Sequence, residues 1–91
     1  MSQIEVIHRH SRNPEQTRQA MDEIAAKLRE RHGLDTAWEG DAIRLSGAGV
    51  NGRVEMQPGQ VRVVAELGFL LSALGGMVEG EIRRVLQDKL G

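Results

Sequence analysis

Polar and apolar residues alternate from Ile4 to His10. Ile4, Val6, His8 and His10 fall on one side and Glu5, Ile7 and Arg9 on the other, which predicts a short strand with one buried face. Asn13-Pro14-Glu15-Gln16 then has the chemistry of a helix start: Asn13 can cap, Pro14 suits the first helical position, and Gln16 can reach back to close a capping box. Beyond it Ala20, Met21, Ile24, Ala25 and Leu28 recur at helical spacing, while Arg18, Asp22, Lys27, Arg29 and Glu30 occupy the wet faces. Gly33 is placed to end this helix in a left-handed turn, with Leu34 folding back as its apolar contact.

Two hairpins follow. A two-residue turn at Gly40-Asp41 pairs Glu39 with Ala42, Trp38 with Ile43 and Thr36 with Leu45, and puts Trp38, Ile43 and Leu45 on one face. A turn at Pro58-Gly59 sets Met56 opposite Val61, Val54 opposite Val63, Gly52 opposite Ala65 and Val50 opposite Leu67; the other face receives Glu55 opposite Arg62. A slip of one residue would scramble both faces, so the pattern specifies its own register. Proline before glycine favours a type II turn, whose twist suits a tight hairpin poorly and predicts a wider loop. Helical periodicity returns from Phe69 to Leu90, with a stripe of Leu71, Leu74, Val78, Ile82 and Val85. Gly75-Gly76 should loosen its first turns, and Gly80, one turn beyond Gly76, should leave room for a neighbouring backbone.

The expected architecture is therefore one α+β domain over residues 1–91, in the order β-α-β-β-β-β-α. Two helices pack on one face of a twisted antiparallel sheet, and the first strand lies beside the last. Ninety-one residues suffice for one core but not two. With 40% apolar and 27% charged residues and a formal net charge of −1, no global field favours nucleic acid; Trp38 and Phe69 are the only aromatic residues, too few for a base-stacking surface. Cysteine is absent, which excludes disulfides and thiolate chemistry. The opening residues lack the pattern of a secretory signal, so a cytoplasmic location is expected. The longest apolar stretch, residues 67–78, is shorter than the roughly 20 residues a membrane span requires.

Candidate chemical signals are weak. Gly47-Ala48-Gly49-Val50-Asn51-Gly52 matches a dinucleotide-binding pattern, but a strand rather than a helix is expected after it. His8 and His10 share a strand face and could supply two metal ligands; no third is evident, His32 being remote in sequence. Asp35, Glu39 and Asp41 surround a wet turn where nothing would raise a carboxyl pKa, and neither Ser46 nor Ser72 has a recognisable base. No catalytic, cofactor or metal residue is assigned. The apolar excess at Phe69, Leu70, Ala73 and Met77 is more informative. Phe69 and Leu70 either plug the end of the sheet, or the group forms a patch for a partner, a lipid-like surface or another subunit.

Trp38-Glu39-Gly40-Asp41, Val50-Asn51-Gly52-Arg53-Val54-Glu55, the run from Leu67 through Leu74, and Glu79-Gly80-Glu81-Ile82 resemble the small polyhydroxyalkanoic acid system proteins, over nearly the whole chain. The resemblance implies a bacterial cytoplasmic accessory protein of a carbon-storage system, associated with the surface of polyhydroxyalkanoate granules or with a granule protein; it carries no catalytic residue to this chain. A non-enzymatic interaction protein is the expected function. The alternative is a binding module holding an acyl chain between the sheet and the last helix, unless Met21, Leu28, Trp38, Val54 and Leu74 fill that space. A strand edge and a spare apolar patch also favour a homodimer.

Overall fold

The computed structural model describes residues 2–47, 49–68 and 72–91. Strand β1 (Ser2–Arg9) leads to helix α1 (Pro14–His32), followed by β2 (Asp35–Glu39), β3 (Ala42–Gly47), β4 (Val50–Gln57) and β5 (Gln60–Leu67). A short 3-10 turn (Ser72–Leu74) precedes helix α2 (Gly75–Leu90). The five strands form one antiparallel sheet in the order β1-β5-β4-β3-β2, so the first strand closes beside the last as the pattern predicts.

Both hairpin registers match the sequence reading, from Trp38 opposite Ile43 to Val54 opposite Val63 and Glu55 opposite Arg62. The expectation of a wider loop at Pro58-Gly59 is corrected. Gln57 pairs with Gln60, leaving two residues in the turn, and Gly59 takes φ 72°, which a residue with a side chain resists. The His10 N–H also donates to the Gly59 carbonyl at 3.1 Å, which fastens the turn to the end of β1.

The strict alternation gives the sheet two unlike faces. Ile4, Val6, Ile43, Leu45, Val54, Val61, Val63, Ala65 and Leu67 are buried on the inner face under the helices. The outer face carries Arg62 between Glu5 (2.6 Å) and Glu55 (2.7 Å), with Arg53 on Glu55 at 3.0 Å. Those carboxylates, Glu55 first and then Glu5, raise the Arg62 pKa above its ordinary value. These pairs are only partly withdrawn from water and do less for stability than the inner face, where each wholly buried side chain contributes about 1.5–3 kcal/mol.

Helix α1 starts and stops where its chemistry dictates. The Asn13 side chain accepts from Gln16 N–H at 2.8 Å, the Gln16 side chain accepts from Asn13 N–H at 3.2 Å, and Gly33 ends the helix at φ 65°. Thr17, a buried polar residue, donates its hydroxyl to the Asn13 carbonyl at 2.9 Å, so its own donor is met inside the core. On the same helix Asp22 accepts from the Trp38 indole N–H at 2.7 Å, while the Arg18 guanidinium sits 4.4 Å from the centre of that ring. The two contacts tie the edge strand β2 to α1.

Helix α2 departs from the expected stripe. The described α-helix begins at Gly75, after the tighter turn at Ser72–Leu74, so the glycine pair opens the helix instead of lying inside it, while Phe69 is outside the described residues. Leu74, expected in the core, is 44% exposed at the helix boundary, and Leu71 lies outside the described residues. The core contacts come from the other end: Val85, Leu86 and Leu90 are buried, Val78 and Ile82 partly so. The room expected at Gly76 and Gly80 goes unused by any described neighbour, since a Cβ there would meet nothing within 4 Å.

Gly52 is the glycine the sheet cannot replace. A Cβ at this position would lie 2.2 Å from the Val64 carbonyl oxygen and 2.8 Å from the Ala65 Cα, inside the backbone of β5. Gly52→Ala should therefore cost about 2–3 kcal/mol in a urea denaturation, whereas Gly76→Ala should stabilise by roughly 0.5–1 kcal/mol. Equal and small effects would contradict this placement of the two glycines.

Candidate functional site

The inner face of the sheet is not filled evenly. Across β3, β4 and β5 the row Ile43–Val54–Val63 is bulky, but the adjoining row is Leu45–Gly52–Ala65, which has almost no side chain at its centre. Close backbone approach forbids a larger residue at Gly52, so the floor is low there. Above it an apolar cavity of about 250 Å³ separates the sheet from the helices.

Each wall follows from helical spacing. Ile24, Leu28 and His32 stand in successive turns on one side of α1, and Leu34, turned inward by the left-handed Gly33, closes the corner. From α2, Val78, Ile82 and Leu86 form a second row, with Glu81 and Val85 beside it. The floor is Leu45, Val50, Val54, Val63 and Ala65. His32 and Glu81 are the two polar residues of the lining. They stand 3.9 Å apart with side chains 44% and 25% exposed, so they mark the mouth. Glu81 also holds Arg84 at 2.8 Å.

A space of this size has an energetic consequence. At about 24 cal/mol per Å³, an unfilled apolar void of this volume would cost on the order of 6 kcal/mol, comparable to the whole stability of a small domain, and contact with solvent at the mouth makes that an upper bound. Met21 and Val54 are wholly buried, and Leu28 and Trp38 pack on the core, yet these residues do not close the gap; Leu74 contributes nothing to it.

The other candidates are dispersed. Ala73 is exposed and Met77 is 73% exposed at the start of α2, while Phe69 and Leu70 lie outside the described residues. The glycine-rich segment joins β3 to β4, strand to strand, with no helix N-terminus after it; Ala48 within it is outside the described residues. Asp41 pairs with Arg18 at 3.0 Å and Glu39 with Arg44 at 3.6 Å, all exposed, and Asp35 is exposed at the start of β2. Among the described residues no group of three or more His, Cys, Asp or Glu is placed to hold a metal ion.

β1 ends at Arg9, so His10 follows the strand rather than sharing its face with His8 as expected; the Nε2 atoms of both are buried without a hydrogen-bond partner among the described protein groups. His10 Nδ1 accepts from Arg12 N–H at 3.1 Å, which in the neutral ring puts the proton on Nε2. Burial first, then the neighbouring His8 and Arg12, lower the His10 pKa from 6.5. Arg12 itself donates to the Leu90 carbonyl at 3.1 Å, so this corner ties the end of α2 to the loop after β1.

Sequence reasoning missed the mouth. His32 is remote in sequence from the other histidines, although the Ile24, Leu28, His32 spacing puts it in the row that lines the cavity. The Gly52–Ala65 pair, visible in the predicted register, was the available sign of a shallow floor.

Fold and site together define a helix-covered antiparallel sheet enclosing an aliphatic cavity with one polar end. The model of the family described as "Putative polyhydroxyalkanoic acid system protein" matches residues 4–90, and the chain belongs to this family. No curated protein and no solved structure gave a significant match. Among the described residues, no helix is long and apolar enough to cross a membrane.

The lowered His10 pKa gives a signed pH dependence. The unfolded chain takes up this proton near pH 6.5 and the folded chain only at lower pH, so the contribution is intact above about 6.5 and is lost as pH falls from there to the folded value. Thermal unfolding followed between pH 7.5 and 5 should show His10→Gln losing less stability than the parent on acidification; parallel curves would contradict the assignment.

Proposed function

We propose that this protein is a non-enzymatic accessory component of a polyhydroxyalkanoate storage system, acting in the cytoplasm at the granule surface or on a granule protein. The observation that carries this reading is the exposed apolar start of α2, where Leu74 and Met77 stand 44% and 73% accessible beside the exposed Ala73. Large apolar side chains seldom gather on one helical turn of a soluble surface without a partner. Met77 adds an adaptable, polarisable contact suited to an irregular apolar surface. Membership of the family supports the storage-system setting. The open edge of β2 offers a route to a second copy of the chain.

The cavity supports a second reading, a module that holds an acyl chain between the sheet and α2. Its volume, its aliphatic lining and its single polar end are the features of a small-molecule site.

Leu74→Glu with Met77→Glu tests the first reading, since both side chains are exposed and the core is untouched. In polymer-accumulating cells the parent protein should sediment with washed granules, and the double variant should lose at least about tenfold of that association. A parent protein found wholly in the soluble fraction, with no granule protein recovered alongside it, would overturn the proposal.

A further inference from the structure

Resting on the second reading above, we propose that the cavity takes one unbranched aliphatic chain whose head is an uncharged hydroxyl, received at the mouth by Glu81.

The shape of the ligand follows from the lining. The aliphatic walls are leucine, isoleucine, valine and alanine from both helices and three strands, and among the described lining residues the one ring is the His32 imidazole at the mouth. Deeper in, no described residue offers a flat face for stacking a planar ring. An apolar cavity of about 150 Å³ accepts benzene, so in proportion a space of about 250 Å³ accommodates a chain of roughly ten carbons or fewer.

The head group follows from the mouth. One Glu81 oxygen receives Arg84 at 2.8 Å; the other has His32 at 3.9 Å, beyond hydrogen-bond distance. That second oxygen keeps its capacity to accept, on a side chain lining the entrance. A hydroxyl donates to it. A carboxylate has no proton to give and meets a like charge, while Arg84, the cation paired with the other Glu81 oxygen, is 77% exposed and is not among the described residues lining the cavity. The mouth therefore distinguishes an alcohol from a carboxylate on the same chain. Glu81 lies one turn before Val85 on α2, so a chain entering between it and His32 passes the carboxylate on the way to the aliphatic rows.

Isothermal calorimetry on the full chain with 1-butanol, 1-hexanol, 1-octanol and octanoate at neutral pH tests this, together with Glu81→Gln and Val78→Phe. Affinity should rise roughly tenfold for every two methylenes from butanol to octanol, and octanoate should bind at least about tenfold more weakly than octanol. Glu81→Gln, which removes the charge and keeps an acceptor, should bring octanoate to within about threefold of octanol. Val78→Phe, which adds bulk inside the cavity, should weaken octanol binding at least about tenfold and butanol binding less. If no ligand binds the parent protein, both the chain-holding reading and this inference fall. If octanoate binds as well as octanol, or Glu81→Gln leaves their ratio unchanged, the inference falls while the chain-holding reading stands. Octanol binding unchanged by Val78→Phe in a folded variant places the site elsewhere and overturns both.

Discussion

Everything in this structure depends on the register of β3, β4 and β5. Ile43, Val54 and Val63 lie in one row under the helices, and the residues between them in sequence, Arg44, Arg53, Glu55 and Arg62, lie on the other side. Because side chains alternate with a period of two, a shift by one residue would carry those charges into the core and the valines into water. No weaker interaction could compensate: the outer ion pairs keep part of their contact with water, while the inner row is removed from it almost completely. The close crossing at Gly52 acts in the same direction, since it admits no side chain against the β5 backbone.

The helices respond unequally to this platform. α1 is capped at both ends and bonded to β2 through Trp38. α2 is held mainly by its second half, where Val85, Leu86 and Leu90 are buried and Arg12 grips the Leu90 carbonyl. Burial falls toward its start, through Ile82 and Val78 to the exposed Met77 and Leu74. The cavity and the exposed apolar turn therefore share one origin. A helix anchored at one end, over a floor made shallow by Gly52 and Ala65, cannot close the space at the other.

Most of the fold was legible because strands and caps are local. The capping box at Asn13, the left-handed Gly33, and both hairpin registers depend on neighbouring residues or on a two-residue turn, and the structure reproduces them. α2 was less legible. A helical wheel treats all its positions alike, and placed Leu74 in the stripe with Val85, whereas the anchoring of one end alone separates them. The mouth of the cavity was least legible, because His32 and Glu81 belong to different helices that only tertiary packing brings to 3.9 Å. The low floor was written in the sequence as Gly52 opposite Ala65, but it becomes a cavity only when helices span it.

Native-state hydrogen exchange across the sheet tests the central claim most directly. If the β3–β4–β5 register carries the fold, amides of β4 and β5, Val54 and Val63 among them, should exchange only through global unfolding, and those of the edge strand β2 through faster local opening. Exchange at Val54 and Val63 as fast as in β2 would contradict the account.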